Sequence, residues 1–120
     1  MKKIILYSSD FTMSFSLLMY LKDKYNITVS MDHDDLLKIV KCTKFDLVLL
    51  DMEPSDMMEK LCEEIKMVNS QIPVVLIYVF KNKNRDFDLK IRKYADFIFY
   101  KPFDLNEVTK ELSTLTGTFN

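Results

Sequence analysis

Two runs in this chain, Leu47–Leu50 and Val74–Phe80, are apolar at every position. A strand with one wet face alternates apolar and polar residues. An unbroken apolar run therefore predicts a strand covered on both faces, as in the middle of a parallel sheet. Three further short runs rich in Ile, Val and aromatics, Ile4–Tyr7, Ile27–Val29 and Phe97–Tyr100, predict the remaining strands.

The segments between them carry apolar residues at three- and four-residue spacing, the signature of amphipathic helices. The stripes are Met13, Leu17, Tyr20 and Leu21; Leu36, Leu37, Ile39 and Val40; Met58, Leu61, Ile65 and Val68; a weaker one of Phe87, Ile91 and Tyr94; and Leu105, Val108, Leu112 and Leu115. Ser55, just after Pro54, suits the N-cap of the third helix, and Asp104 followed by Glu107 is an acidic capping box for the fifth. Five strands alternating with five helices predict an α/β domain, a parallel sheet with right-handed crossovers and helices on both faces. With 120 residues and no linker, repeat or low-complexity segment, residues 1–120 read as one domain.

In such sheets the ligand site lies beyond the carboxyl ends of the strands. Strand 1 delivers Ser8, Ser9 and Asp10 there, strand 3 delivers Asp51, strand 4 Tyr78 to Phe80, and strand 5 Tyr100, Lys101 and Pro102. No glycine-rich loop follows any strand, which excludes dinucleotide and P-loop nucleotide sites. A net charge of −1 points to no particular partner class, and no apolar run approaches the ~20 residues of a membrane span. Cys42 and Cys62, without CxxC spacing, read as two reduced, partly buried thiols of a cytoplasmic protein. His33, the single histidine, is expected in the loop entering helix 2.

A carboxylate and an ammonium at neighbouring strand ends, with a Lys-Pro step after strand 5, carry a resemblance. Across FDLVLLDMEPSD, IPVVLIY and ADFIFYKPFDLNEV the chain resembles the receiver domain of two-component response regulators, over nearly its whole length. The resemblance implies a flavodoxin-like sheet in the order 2-1-3-4-5. It also implies Asp51 as phosphoacceptor from a histidine kinase, Lys101 as phosphoryl contact, and a cis Lys101–Pro102 peptide. Magnesium belongs to that chemistry, because it neutralises the oxygens that an attacking aspartate and a phosphoryl donor bring together. Receivers hold it with two acids at the end of strand 1. Here those positions read Ser8 and Ser9, or Ser9 and Asp10 if the alignment slips by one residue.

Asp51, Asp10 and Glu53 are the remaining candidate metal ligands, Glu53 lying where the family offers a backbone carbonyl. The plainer roles are helix-1 N-cap for Asp10 and exposed loop acid for Glu53. The two switch positions also depart from the family. Tyr78 replaces a short hydroxyl at the end of strand 4, where its phenol is expected to overshoot the phosphoryl contact or fill the pocket. Ile98 replaces the aromatic residue of strand 5, and alternation sends Phe97 and Phe99 to the opposite face. One residue fewer than usual separates Asp51 from Pro54.

Charge is unevenly spread. Lys81, Lys83, Arg85, Lys90, Arg92 and Lys93 crowd one segment, while Asp32, Asp34, Asp35, Glu53, Asp56, Glu59, Glu63 and Glu64 are expected around the site. The resemblance places the basic segment on an output face of helix 4, strand 5 and helix 5, suited to an acidic partner or a homodimer. Phe87 and Tyr94 belong in the core rather than in base stacking, so a nucleic-acid partner is not expected for this domain alone. These readings converge on an atypical receiver that switches or scaffolds a partner protein, with weak or no magnesium-dependent phosphorylation at Asp51. The alternatives are the receiver part of a longer DNA-binding regulator and a small α/β enzyme using Asp51 and Lys101. The enzyme reading ends if Tyr78 plugs the crevice.

Overall fold

A computed structural model gives the conformation of residues 1–117. The elements follow in the order β1 (Lys3–Ser8), α1 (Phe11–Leu21), β2 (Asn26–Ser30), α2 (His33–Cys42), β3 (Leu47–Asp51) and α3 (Asp56–Val68). Then come β4 (Val74–Tyr78), a single 3-10 turn (Asn82–Asn84), α4 (Arg85–Ile91), β5 (Phe97–Tyr100) and α5 (Leu105–Thr116). All strands pair in parallel, in the order β2-β1-β3-β4-β5. The chain therefore has the doubly wound α/β architecture expected from its alternating pattern.

Every residue of β3 and β4 is buried, as their unbroken apolar runs predict. The alternation of side chains divides the core in two. Val48, Leu50, Val74, Leu76 and Ile98 pack beneath α2, α3 and α4, against Leu36, Met58, Leu61, Ile65 and Ile91. Leu47, Leu49, Val75, Ile77 and Phe99 pack beneath α1 and α5, against Leu17, Leu21, Val108 and Leu112. Each such side chain taken from water contributes about 1.5–3 kcal/mol before entropy is counted.

Caps place the helices where polar side chains precede the apolar stripes. Asp10, Asp32, Ser55 and Asp104 each accept a backbone N–H from the first turn of α1, α2, α3 and α5 respectively. For α5 only this half of the expected capping box forms, since among the described residues the Glu107 carboxylate makes no return bond. The helix ends at Gly117, whose φ of 71° is a left-handed conformation that a side chain would strain.

Four expectations need correction. β4 stops at Tyr78 rather than Phe80, because the ladder to β5 ends there and Val79 and Phe80 emerge exposed. The fourth helix is only seven residues long, so Tyr94 follows it rather than lying on it. Tyr94 and Phe87 nevertheless pack against the core. The two thiols are not alike: Cys42 is exposed and Cys62 fully buried. His33 is the first residue of α2 rather than a loop residue, next to its cap Asp32.

Candidate functional site

The parallel register brings Ser8 of β1 level with Asp51 of β3. Asp51 is only 4% exposed, and both of its carboxylate oxygens are engaged. The Lys101 ammonium lies 2.6 Å from Oδ1, and the Ser8 hydroxyl donates to Oδ2 at 2.7 Å. A buried carboxylate needs such partners, because unpaired charge in a low-dielectric surrounding is costly. The peptide between Lys101 and Pro102 is cis, and the Lys101 N–H donates to the Tyr78 carbonyl at 2.9 Å.

Ser8 also organises the turn that follows it. Its hydroxyl oxygen accepts the Asp10 N–H at 3.0 Å and lies 3.2 Å from the Asp10 carbonyl. The Asp10 carboxylate faces α1, where Oδ1 accepts the N–H groups of Thr12 and Met13 at 2.9 and 3.2 Å. Ser9 is exposed. The register thus answers which strand-1 residue stands beside Asp51. It is Ser8, while Ser9 and Asp10 belong to the turn and the helix cap.

A cavity of about 290 Å³ opens over Asp51 and Lys101, with Ser9, Asp10, Glu53, Lys81 and Lys83 on its walls. Three carboxylates share this cavity, yet among the described residues no cluster of three acids, histidines or cysteines is arranged to hold a metal ion. The donor chemistry explains this. One oxygen of Asp51 already carries an ammonium, the other a hydroxyl, Asp10 is committed to a helix cap, and Glu53 is an exposed loop residue. A magnesium ion, which usually keeps several waters and takes one or two carboxylates, would find Asp51 and the cavity-lining Asp10 here but no acid at the end of β1.

Tyr78 neither reaches Asp51 nor fills the cavity with its phenol, contrary to expectation from its length. It continues the alternation of Val74 and Leu76 and points beneath α4. There its hydroxyl donates to Asp88 Oδ1. Burial, together with the neighbouring Asp88 carboxylate, pushes the phenol well above the ordinary tyrosine range, so it remains a proton donor. Ile98, the other switch position, is 7% exposed in the same core. The aromatic side chains of Phe97 and Phe99 lie on the opposite face, as alternation requires.

Asp88 is a functional candidate that sequence reasoning missed. Besides Tyr78 it accepts the Tyr100 hydroxyl at 2.7 Å, and Arg92 Nε lies 3.4 Å from its second oxygen. Burial works to raise its pKa, but the hydrogen bonds from Tyr78 and Tyr100 and the Arg92 charge outweigh it and hold the carboxyl below its usual range. The available signal was the i, i+4 spacing of Asp88 and Arg92 on a helix. The acids expected around the crevice are mostly elsewhere. Asp34, Asp56 and Glu64 line a separate cavity between α2 and α3, and Glu59 pairs with Lys90 of α4 at 3.0 Å.

Solved structures answer which fold this is. A two-component response regulator from Clostridium difficile superimposes with a TM-score of 0.84 at 20% identity, covering 100% of this chain and 99% of that one. TrrA of Thermotoga maritima, a response regulator solved with magnesium and BeF, gives 0.81 at 23% identity over 96% and 99% of the two chains. The fold is that of a response regulator receiver domain. A streptococcal redox sensor, from a family described as evolved from two-component response regulators, matches at 0.83 and 18% identity, over 98% of this chain but 52% of that one. No protein-family model matches the sequence, and no curated protein matches it. No helix among the described residues is long and apolar enough to cross a membrane.

Proposed function

We propose that this chain, read as one domain over residues 1–120, is an atypical receiver module of two-component signalling. In this reading it acts by binding a partner protein, with Asp51 at the phosphoacceptor position and Lys101 at the phosphoryl-contact position. Magnesium-dependent phosphorylation of Asp51 is weak or absent. The observation that carries the reading is that a neutral serine, Ser8, stands level with Asp51 and donates to it, where receivers offer a metal-binding acid. Attack on phosphorus requires a free carboxylate lone pair and positive charge to balance the oxygens of the donor. Here each oxygen of Asp51 already carries one partner, and Ser8, being neutral, adds no charge to help recruit a cation.

The basic α4 segment supplies the complementary face. Arg85 and Lys93 form no ion pair among the described residues, and they suit an acidic surface on a partner protein. A kinase or another signalling protein of the cytoplasm is the partner class this implies, with self-association as the variant. The enzyme reading of Asp51 and Lys101 is not ended by Tyr78, which leaves the cavity open, but it needs a further catalytic group beside a pair that serves as its own counter-charges.

The test is incubation with magnesium and a small phosphodonor such as acetyl phosphate, read by intact mass. Little or no addition of one phosphate is expected. A clean single addition that disappears in Asp51→Asn would overturn the reading. A longer reading frame carrying a helix-turn-helix after residue 120 would instead make the domain the receiver part of a DNA-binding regulator.

A further inference from the structure

The carboxylate of Asp88 joins three elements at one point. Asp88 belongs to α4, Tyr78 ends β4, and Tyr100 ends β5 directly opposite Tyr78 in the register. Both phenols donate to the same oxygen of Asp88. Arg92, immediately after α4, approaches the other oxygen and also donates from Nη2 to the Tyr100 hydroxyl at 2.7 Å. The two tyrosine rings meet edge to face at 5.6 Å, and Phe80 makes a second such contact with Tyr100 at 5.6 Å.

The polar cluster adds to a small attachment made by buried Ile91, by Phe87 against the core and by the Lys90–Glu59 ion pair to α3. A helix of seven residues is too short to persist on propensity alone. Of its side chains only Asp88 and Ile91 are buried, while Leu89 is 68% exposed. Lifting α4 from the sheet would leave an ionised carboxylate without its donors and two phenols without their acceptor. Water would replace these partners, but charge-assisted hydrogen bonds contribute more than neutral ones even after that exchange.

We infer that Asp88, Tyr78, Tyr100 and Arg92 form a clamp that fastens α4 to the ends of β4 and β5, so that the basic α4–β5 face is presented to a partner in one arrangement at all times. The positions where a receiver is expected to switch, Tyr78 and Ile98, are here a clamp member and a core residue. The face therefore does not wait on the state of Asp51. The inference deepens the proposed partner-binding role, but rests on geometry that is independent of whether Asp51 accepts phosphate.

Hydrogen–deuterium exchange on the full chain tests it. In the wild type, the α4 amides are expected to exchange slowly, and magnesium with beryllium fluoride is expected to leave them unchanged. Asp88→Asn should speed exchange of residues 85–92 about tenfold while peptides from β1 and β3 keep their rates. If Asp88→Asn fails to fold, Tyr100→Phe removes one donor from a half-buried position and should produce the same local effect, smaller in size. An unchanged α4 in these variants, or a rise spread evenly over the chain, would overturn the clamp, as would a wild-type α4 that loosens with beryllium fluoride. Phosphate uptake at Asp51 with α4 unmoved would instead overturn the unphosphorylated reading and leave the clamp standing.

Discussion

Ser8 donates its hydroxyl to Asp51 across the β1–β3 register, at 2.7 Å, on the carboxylate oxygen that Lys101 leaves free. A neutral hydroxyl thus stands beside the strand-3 aspartate, and the pair is stable without a cation other than Lys101. Replacing the hydroxyl with a second carboxylate reverses that balance. In Ser8→Asp, two acids face each other over a shared site, and like charges at this distance resist joint ionisation. The variant should lose about 1–3 kcal/mol in EDTA and recover part of it with millimolar magnesium, whereas the wild type should show no magnesium-dependent change in melting temperature. Melting curves with and without the ion check this directly. Equal magnesium responses in both proteins would contradict it.

Lys101 makes the one ion pair of Asp51 among the described residues, and only about a quarter of its side chain is exposed. Lys101→Met leaves an uncompensated buried charge and should cost about 3 kcal/mol in urea unfolding. The double variant Asp51→Asn with Lys101→Met removes both charges, keeps most of the volume, and should regain the greater part of that loss. Strictly additive losses in the cycle would mean that the pair carries no coupling energy.

The parts of this molecule that are legible in its sequence are those set by local periodicity. β3 and β4 announce themselves because burial on both faces leaves no polar position in Leu47–Leu50 or Val74–Ile77. Asp51 and Lys101 are legible because a charge that ends an apolar strand must emerge at the sheet's edge. Asp88 is not, because within RDFDLK it is one charged residue among several on a helix that reads as solvated. Its burial depends on two tyrosines from strand ends that only the sheet brings together. Tyr78 shows the cost of judging by length alone. Side-chain alternation along β4 sends it beneath α4, the same argument that correctly separates Phe97 and Phe99 from Ile98.

Acid should weaken the α4 attachment in a defined direction. The Asp88 carboxyl titrates below its usual range in the folded protein, and the ordinary unfolded value is about 3.9. Its contribution is therefore fully present above about pH 4. It is lost as pH falls further, when the unfolded chain takes up a proton that the folded chain resists. Urea unfolding at neutral pH should show the wild type ahead of Asp88→Asn, and the gap should shrink as the pH falls from 4 towards 2.5. A gap that stays constant or widens would place the stabilisation elsewhere.

The two thiols should report on the packing of α3 against the sheet. Cys62 is fully buried among the residues beneath α2, α3 and α4. Burial pushes its pKa up to about 12, the nearby Lys66 pulling it down and Glu59 adding to the rise. Thiolate is the reactive form, so at about pH 8 Cys62 is both inaccessible and protonated. Cys42 is exposed at the last turn of α2. Iodoacetamide should therefore add once to the native protein, at Cys42, and twice in urea, as read by intact mass and peptide mapping. Labelling of Cys62 should proceed only through the small open population, and should accelerate in Lys101→Met in step with its lost stability. Rapid double labelling of the native chain would mean that α3 opens far more readily than its buried contacts require.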